Sequence, residues 1–148
     1  MRCKNLVGLT VSILMALSCL YLPAQEAEST AGKVLKPQEK LVVLWTSGDR
    51  EVALKMVFMY TYNAKKYGWW KDITLIVWGP SSKLLSADKE LQDYLGKIIK
   101  TGIKVLACKG CSDQYGVSKQ LEDLGITVKY IGVELTTFLK EGWRMLTL

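Results

Sequence analysis

The chain has 148 residues, of which 49% are hydrophobic, 23% charged and 9% aromatic. This composition predicts one domain with a hydrophobic core, and it excludes a disordered chain, a collagen and a multi-span membrane protein. Histidine is absent, which excludes Ser-His-Asp and Cys-His catalytic groups and His-ligated zinc. The net charge of +6 comes from scattered rather than clustered basic residues, so we expect no nucleic-acid partner.

Residues 1–24 have the anatomy of a signal peptide. A positive start precedes an apolar run over 6–22, and Ala24 offers a small residue for cleavage. Two alternatives stay open: a lipoprotein signal acylated at Cys19, and an uncleaved anchor, for which the run is barely long enough. We therefore expect a periplasmic or secreted protein, lipid-anchored if Cys19 is acylated, with no membrane span after signal cleavage.

Residues 25–40 are rich in small and polar side chains without an apolar period, which predicts a flexible linker. From 41 to 148, short apolar runs alternate with amphipathic stretches, a pattern typical of βα units and a parallel sheet covered by helices. The last two predicted strands alternate apolar with polar residues, so we expect at least one at a sheet edge. The predicted strands are 41–46, 73–78, 103–108, 126–131 and 143–148, and the predicted helices are 49–67, 87–100, 112–115, 119–124 and 134–140.

Local signals refine the helices. Ser86 is predicted as the N-cap of the second helix and Ser118 as that of the fourth, while residues 79–82 are predicted to form a plain turn. Helical spacing in the first helix predicts a buried stripe made of Ala53, Met56, Val57, Tyr60 and Ala64.

Cleavage at Ala24 would leave one Cys-x-x-Cys pair, Cys108 and Cys111. Because ligands and catalytic groups gather at the carboxyl ends of parallel strands, and Cys108 ends the third strand, this pair is the candidate site. Backbone N–H groups of a helical turn opened by Cys111, together with Lys109, favour the thiolate. We expect an accessible, ionised Cys108 sulfhydryl at the sheet rim; the alternative is a buried, inert cysteine.

The alternative role of the two thiols is to bind a metal ion. They supply half of a tetrahedral zinc site, and the remaining ligands would come from carboxylates such as Asp113 or from a neighbouring subunit. A Cu(I) ion held by two sulfurs is an alternative. Because the ligand count is short, we predict no metal and no cofactor.

In the other loops at the same edge, Arg50 is expected to face solvent and Trp78 to serve packing or subunit contact.

One segment of the chain is similar to a segment found in a known protein family. Residues 107–117, Ala-Cys-Lys-Gly-Cys-Ser-Asp-Gln-Tyr-Gly-Val, together with the βαβ order and the Trp78-Gly79 pair, resemble the DsrE/DsrF-like family, which includes the TusD sulfur-relay subunit. In that family a cysteine ends the third strand, and a glycine and an aliphatic residue follow eight residues later. Cys108, Gly116 and Val117 match this spacing.

The resemblance covers about residues 40–148. It implies a three-layer α/β/α domain with a five-stranded parallel sheet, often in trimers or hexamers. The better-known members accept sulfur as a cysteine persulfide and hand it on. Carried over to this chain, the acceptor is Cys108, whereas the role of Cys111 stays open between a resolving thiol, a second acceptor and a spectator.

Three functions follow as hypotheses. The first is an exported sulfur carrier or sulfurtransferase with a persulfide on Cys108 and donor and acceptor thiols of unknown identity. The second is a thiol-disulfide oxidoreductase using Cys108 and Cys111; against it, such enzymes usually place the first cysteine at a helix start, whereas Cys108 is predicted to belong to a strand. The third is a non-enzymatic module that binds a metal or a partner subunit.

Overall fold

The computed structural model describes residues 39–148, so the predicted signal peptide with Cys19 and nearly all of the predicted linker lie outside the described residues. Five parallel strands form one sheet in the order β4-β3-β2-β1-β5. Both β4 and β5 lie at edges, which confirms the expectation drawn from their alternating patterns. The strands are β1 (Lys40–Trp45), β2 (Asp72–Val77), β3 (Lys104–Cys108), β4 (Thr127–Lys129) and β5 (Arg144–Thr147).

Helical segments join the strands, and within residues 39–148 none of them is long and apolar enough to span a bilayer. Lys40, assigned above to the linker, already belongs to β1. The helical segments are α1 (Arg50–Val52), a π-helical segment (Ala53–Phe58), α2 (Met59–Lys66), α3 (Pro80–Ala87), α4 (Lys89–Lys100), α5 (Lys109–Gln114), α6 (Ser118–Asp123) and α7 (Ile131–Lys140).

The sheet has two buried faces, because successive side chains of a strand point to opposite sides. One face packs against the helical segment from α1 to α2 and against α3, α4 and α6. The other packs against α7, which contributes Ile131 and Phe138. The expected three-layer α/β/α architecture is therefore confirmed. The strand residues on the α7 face are Val42, Leu44, Ile76, Leu106 and Cys108.

The first helix departs from its predicted periodicity. Met56 was expected in the buried stripe, but it is 50% exposed, whereas Phe58 is fully buried. The cause is the π-helical segment, whose wider turn rotates the buried face relative to a regular α-helix. Phe58 then packs edge-on against Trp45 of β1, with ring centroids 5.1 Å apart.

Residues 79–82 do not form the predicted plain turn. Gly79 has a φ of +72°, which favours glycine, and Pro80 begins α3, where a missing N–H costs nothing. Ser86 consequently lies inside α3 and is not the N-cap of the next helix. That role belongs to Asp88, whose carboxylate accepts a 3.0 Å hydrogen bond from the Leu91 N–H.

Two consecutive buried serines in the first turn of α3 have different surroundings. The Ser81 Oγ lies 2.8 Å from the Trp45 carbonyl oxygen and 3.1 Å from that of Trp78, and it accepts a 3.0 Å hydrogen bond from the Trp78 N–H. The Ser82 hydroxyl has no hydrogen-bond partner among residues 39–148. Ser81 therefore fixes the chain where β1 and β2 end, whereas the buried Ser82 hydroxyl, which bonds to nothing in this part of the chain, destabilises the folded state.

We predict opposite outcomes for alanine at these two positions. Ser81→Ala should lower the free energy of unfolding by about 1–3 kcal/mol, because it leaves buried backbone groups short of a partner. Ser82→Ala should be neutral or stabilising, because it removes a buried hydroxyl that bonds to nothing. Both changes gain the same helix propensity, so urea denaturation of the two variants isolates the hydrogen bonds. Equal losses of stability would contradict this account.

Candidate functional site

Cys108 joins a strand to a helix. It is the last residue of β3 and the N-cap of α5, with φ −72° and ψ 111°. Its side chain points to the same face as Leu106, towards Ile131 of α7, and it is 8% exposed. The predicted place at the carboxyl edge of the sheet is correct. The expected accessibility is not, because the strand's alternation turns the sulfur into the apolar core beneath α7.

Cys111 lies on the first turn of α5, three residues after Cys108. The helix begins at Lys109, so Cys111 sits within it and does not open it as predicted. Its side chain is partly buried and packs, together with Trp78, against the cluster that contains Cys108. Both cysteines are free thiols. The structure therefore brings the two predicted site residues together, with Cys111 the less buried of the two.

The electrostatics of Cys111 oppose the expectation of a lowered thiol pKa. Burial raises the pKa of Cys111 above its usual value, and its hydrogen bond with Cys108 raises it further. Hydrogen bonding from the Gly79 backbone and the Trp78 side chain acts in the opposite direction, but does not reverse the shift. At neutral pH, Cys111 is therefore mainly a protonated thiol.

Lys109 does not act as a free positive charge beside the thiols. Its Nζ lies 2.6 Å from Oδ2 of Asp113, and its Nζ also lies 6.0 Å from the ring centroid of Tyr130. The ion pair with Lys109 and a hydrogen bond from Ser118 lower the pKa of Asp113. Asp113, the candidate zinc ligand, is thus engaged, and residues 39–148 contain no cluster of three or more cysteine, aspartate or glutamate side chains that could hold a metal ion.

Ser118 joins α5 to α6 and is not the predicted N-cap of α6. Its Oγ lies 2.6 Å from the Ser112 Oγ and donates to Oδ1 of Asp113. The N-cap position of α6 is Val117, which packs in the core. This short network holds the segment after Cys111 in place.

The other loops at the carboxyl edge of the sheet contribute unequally to the site of the two thiols. The Arg50 Nε lies 2.7 Å from Oδ2 of Asp88, and the guanidinium also pairs with Glu90, so it lies on the surface, as expected. Trp78, in contrast, packs with Cys111 against the cluster that contains Cys108, and both Trp78 and Gly79 lower the pKa of Cys111. Sequence reasoning assigned them no role at the site. The available signal was that they directly follow β2, the strand next to β3, at the same sheet edge.

The comparison with known proteins assigns this arrangement to a family. The model of the DsrE/DsrF-like family matches residues 39–148. The chain belongs to this family. Cys108, on the predicted position of the family's sulfur acceptor, therefore lies in a domain of the matching fold. No curated protein matches the chain.

Solved structures share the fold. The protein BT1422 from Bacteroides thetaiotaomicron, described as a conserved protein of unknown function, is 39% identical, with a TM-score of 0.72 over 74% of this chain and 95% of that chain. The ychN protein from E. coli is 17% identical, with a TM-score of 0.62 over 74% and 98% of the two chains. MTH1491 from Methanobacterium thermoautotrophicum is 19% identical, with a TM-score of 0.60 over 74% and 99%.

The raised pKa of Cys111 can be measured directly. In the Cys108→Ala variant, which keeps most of the burial, alkylation of Cys111 by iodoacetamide should rise with pH through a midpoint above that of the same residue in denatured protein. The reason is that only the thiolate reacts, and burial disfavours it. Peptide-resolved mass spectrometry gives the midpoint. A folded-state midpoint at or below the denatured one would contradict the burial argument.

Proposed function

We propose that this protein is a sulfur carrier in which Cys108 holds sulfane sulfur as a persulfide. The observation that carries the proposal is the position of Cys108 at the carboxyl end of β3, capping α5, with the second thiol of Cys111 beside it. Membership of the DsrE/DsrF-like family supports it, because better-known members carry sulfur on the matching cysteine.

The chemistry requires one exchange at sulfur. The Cys108 thiolate attacks the outer sulfur of a donor persulfide, R–S–SH, and the donor's S–S bond breaks. The donor leaves as the thiolate R–S⁻, and Cys108 becomes Cys108–S–SH. Attack by an acceptor thiolate on that outer sulfur reverses the bond changes and passes the sulfur on.

Burial limits which donors can react. With 8% of Cys108 exposed, the attacking sulfur is reached only by a slender group. Inorganic polysulfide and the terminal sulfur of a small persulfide satisfy this limit. Bulky disulfide substrates do not. The signal-peptide anatomy of residues 1–24 supports a periplasmic or secreted site of action, with donor and acceptor thiols in that compartment.

A second candidate function is thiol-disulfide exchange between Cys108 and Cys111. Cys108 was expected to belong only to a strand, which argued against this function. In fact Cys108 ends β3 and also caps α5, the helix-start position that such enzymes use for their first cysteine. The raised pKa of Cys111 and the burial of Cys108 favour the carrier function over rapid exchange with protein disulfides.

Sulfur loading tests the carrier function. Trypsin cleaves after Lys109 and so places Cys108 and Cys111 on separate peptides. After reduced protein is exposed to polysulfide, we expect one added sulfur on the 105–109 peptide, and loss of this adduct in Cys108→Ser. Mass spectrometry under non-reducing conditions gives the result. Absence of the adduct, combined with efficient insulin reduction, would replace the carrier function with the oxidoreductase.

We also propose that the chain forms a homo-oligomer, a trimer or hexamer. Support comes from apolar side chains on the outer side of α7 and at its start, where Val133 is 77%, Tyr130 69% and Leu139 55% exposed. An exposed apolar patch of this kind is typical of an interaction surface. A second copy of the chain is the partner we propose for it.

Sedimentation tests the oligomer. Val133→Lys should shift the protein towards the monomer in analytical ultracentrifugation, because a buried unpaired charge opposes association. Met59→Lys, at an apolar position on α2 that is 47% exposed, is the control and should leave the assembly intact. A wild-type protein that sediments as a monomer at all concentrations would refute the oligomer.

A further inference from the structure

We infer that Cys111 is the resolving thiol for sulfur carried on Cys108, and that Trp78 is the positioning residue that holds it for this reaction. The inference rests on the proposed carrier function, because resolution requires a persulfide on Cys108. It assigns a task to Cys111, for which the sequence left three possibilities, and to Trp78, which was expected to serve packing or subunit contact.

The two sulfurs are placed to react with each other. Cys108 caps α5 and Cys111 lies three residues later, a spacing that puts two side chains on one side of a helix. Both thiols belong to the same apolar surroundings beneath α7. Cys111 is the less buried of the two thiols.

Trp78 reaches Cys111 from the neighbouring strand. The ladder between β2 and β3 pairs Val77 with Ala107, so Trp78 stands beside Cys108 one step further along. Their side chains share the α7 face, Trp78 and Cys111 pack against the same apolar cluster, and the Trp78 side chain lowers the pKa of Cys111. An indole N–H can only donate, so it stabilises the thiolate of Cys111.

The same loop supplies a second donor and is rigidly held. The Ser81 hydroxyl binds the backbone of Trp78 on both its N–H and its carbonyl sides. Gly79 follows with a φ of +72°, and its backbone is the other group that lowers the pKa of Cys111. Side chains larger than glycine rarely adopt that φ, so the sequence Trp78-Gly79-Pro80-Ser81 is suited to directing two donors at one sulfur.

The reaction balances without an outside oxidant. The Cys111 thiolate attacks the inner sulfur of Cys108–S–SH, and a bond forms between the two cysteine sulfurs. The persulfide S–S bond breaks, and its outer sulfur leaves as HS⁻ with the bonding electron pair. The sulfane sulfur is reduced to sulfide while the two cysteines become a disulfide. An external dithiol is then needed to reopen that disulfide, so one loaded molecule releases one sulfide.

Burial makes this release slow at neutral pH. The raised pKa of Cys111 keeps it protonated, so the persulfide survives long enough to meet an acceptor, and release accelerates as pH rises and the thiolate forms. The donors on Trp78 and Gly79 keep the pKa of Cys111 from rising further. Removal of the Trp78 donor should therefore move the release profile to higher pH.

The test follows loaded, desalted full-length protein without added thiol. Wild-type protein should release sulfide with a rate that rises with pH, while the 105–109 and 110–119 peptides become disulfide-linked. Cys111→Ser should lose the linked product and retain the added sulfur on Cys108. Trp78→Phe should lower the neutral-pH rate several-fold and shift the profile to higher pH. Trp143→Phe is the matched control, because Trp143 packs in the same cluster but donates its N–H to Glu141.

Each failure has a distinct meaning. Absence of added sulfur on Cys108 in every protein overturns the carrier function and the inference with it. Sulfur that loads normally but leaves Cys111→Ser as fast as wild type overturns the inference alone. Equal profiles for Trp78→Phe and Trp143→Phe overturn the role of Trp78. If Trp78→Phe fails to fold, the wild-type profile decides: sulfide release must accelerate as pH rises, and a rate that does not change with pH overturns the inference.

Discussion

The parallel ladder between β2 and β3 is the constraint on which the whole site depends. It pairs Val77 with Ala107, and so sets Trp78 beside Cys108 with both side chains on the α7 face. A slip of one residue would turn Cys108 towards the opposite face, away from Cys111 and Ile131. The register is strongly specified, because Ile76 and Leu106 on one side, and their neighbours on the other, are all buried in apolar surroundings.

The site balances burial against a small number of donors. Low-polarity surroundings disfavour a thiolate, and the nearest cation, Lys109, is held by Asp113. What remains to stabilise negative charge on Cys111 are neutral hydrogen-bond donors, the Trp78 side chain and the Gly79 backbone. Such a site suits slow, controlled sulfur chemistry better than rapid exchange, because little of either thiol reaches solvent.

The sequence was sufficient for the number of strands, their parallel direction, an edge position for the last two strands and the place of Cys108, but the fourth predicted strand was too long, because Ile131 begins α7. These depend on apolar runs and on the carboxyl-edge rule, both of which are local or general. The π-helical segment was not predictable, because Met56 and Phe58 both fit an apolar stripe and only tertiary packing selects between them. The start of α3 was missed because Gly-Pro-Ser-Ser is also typical of a turn.

The electrostatics were wrong for a related reason. Helix-start N–H groups and a lysine predicted a lowered thiol pKa, but neither burial nor the Lys109–Asp113 pair is visible in the sequence. Asp113 is four residues from Lys109, a spacing that allows pairing without requiring it. Whether the lysine serves the thiols or the carboxylate is decided by where Ser118 and Tyr130 hold the two side chains.

The asymmetry of the two faces determines how a visiting molecule reaches the sulfur. On the Cys108 side the sheet is covered by α7, whose inner residues Ile131 and Phe138 are buried. A neighbour bound to the outer side of α7 covers that helix further and opens no path through it. Cys111, which is partly exposed on the first turn of α5 at the carboxyl edge, is the thiol that solvent reaches more readily. The more exposed thiol is thus the one kept protonated, and the carrier function proposed above places the sulfur on the deeper one.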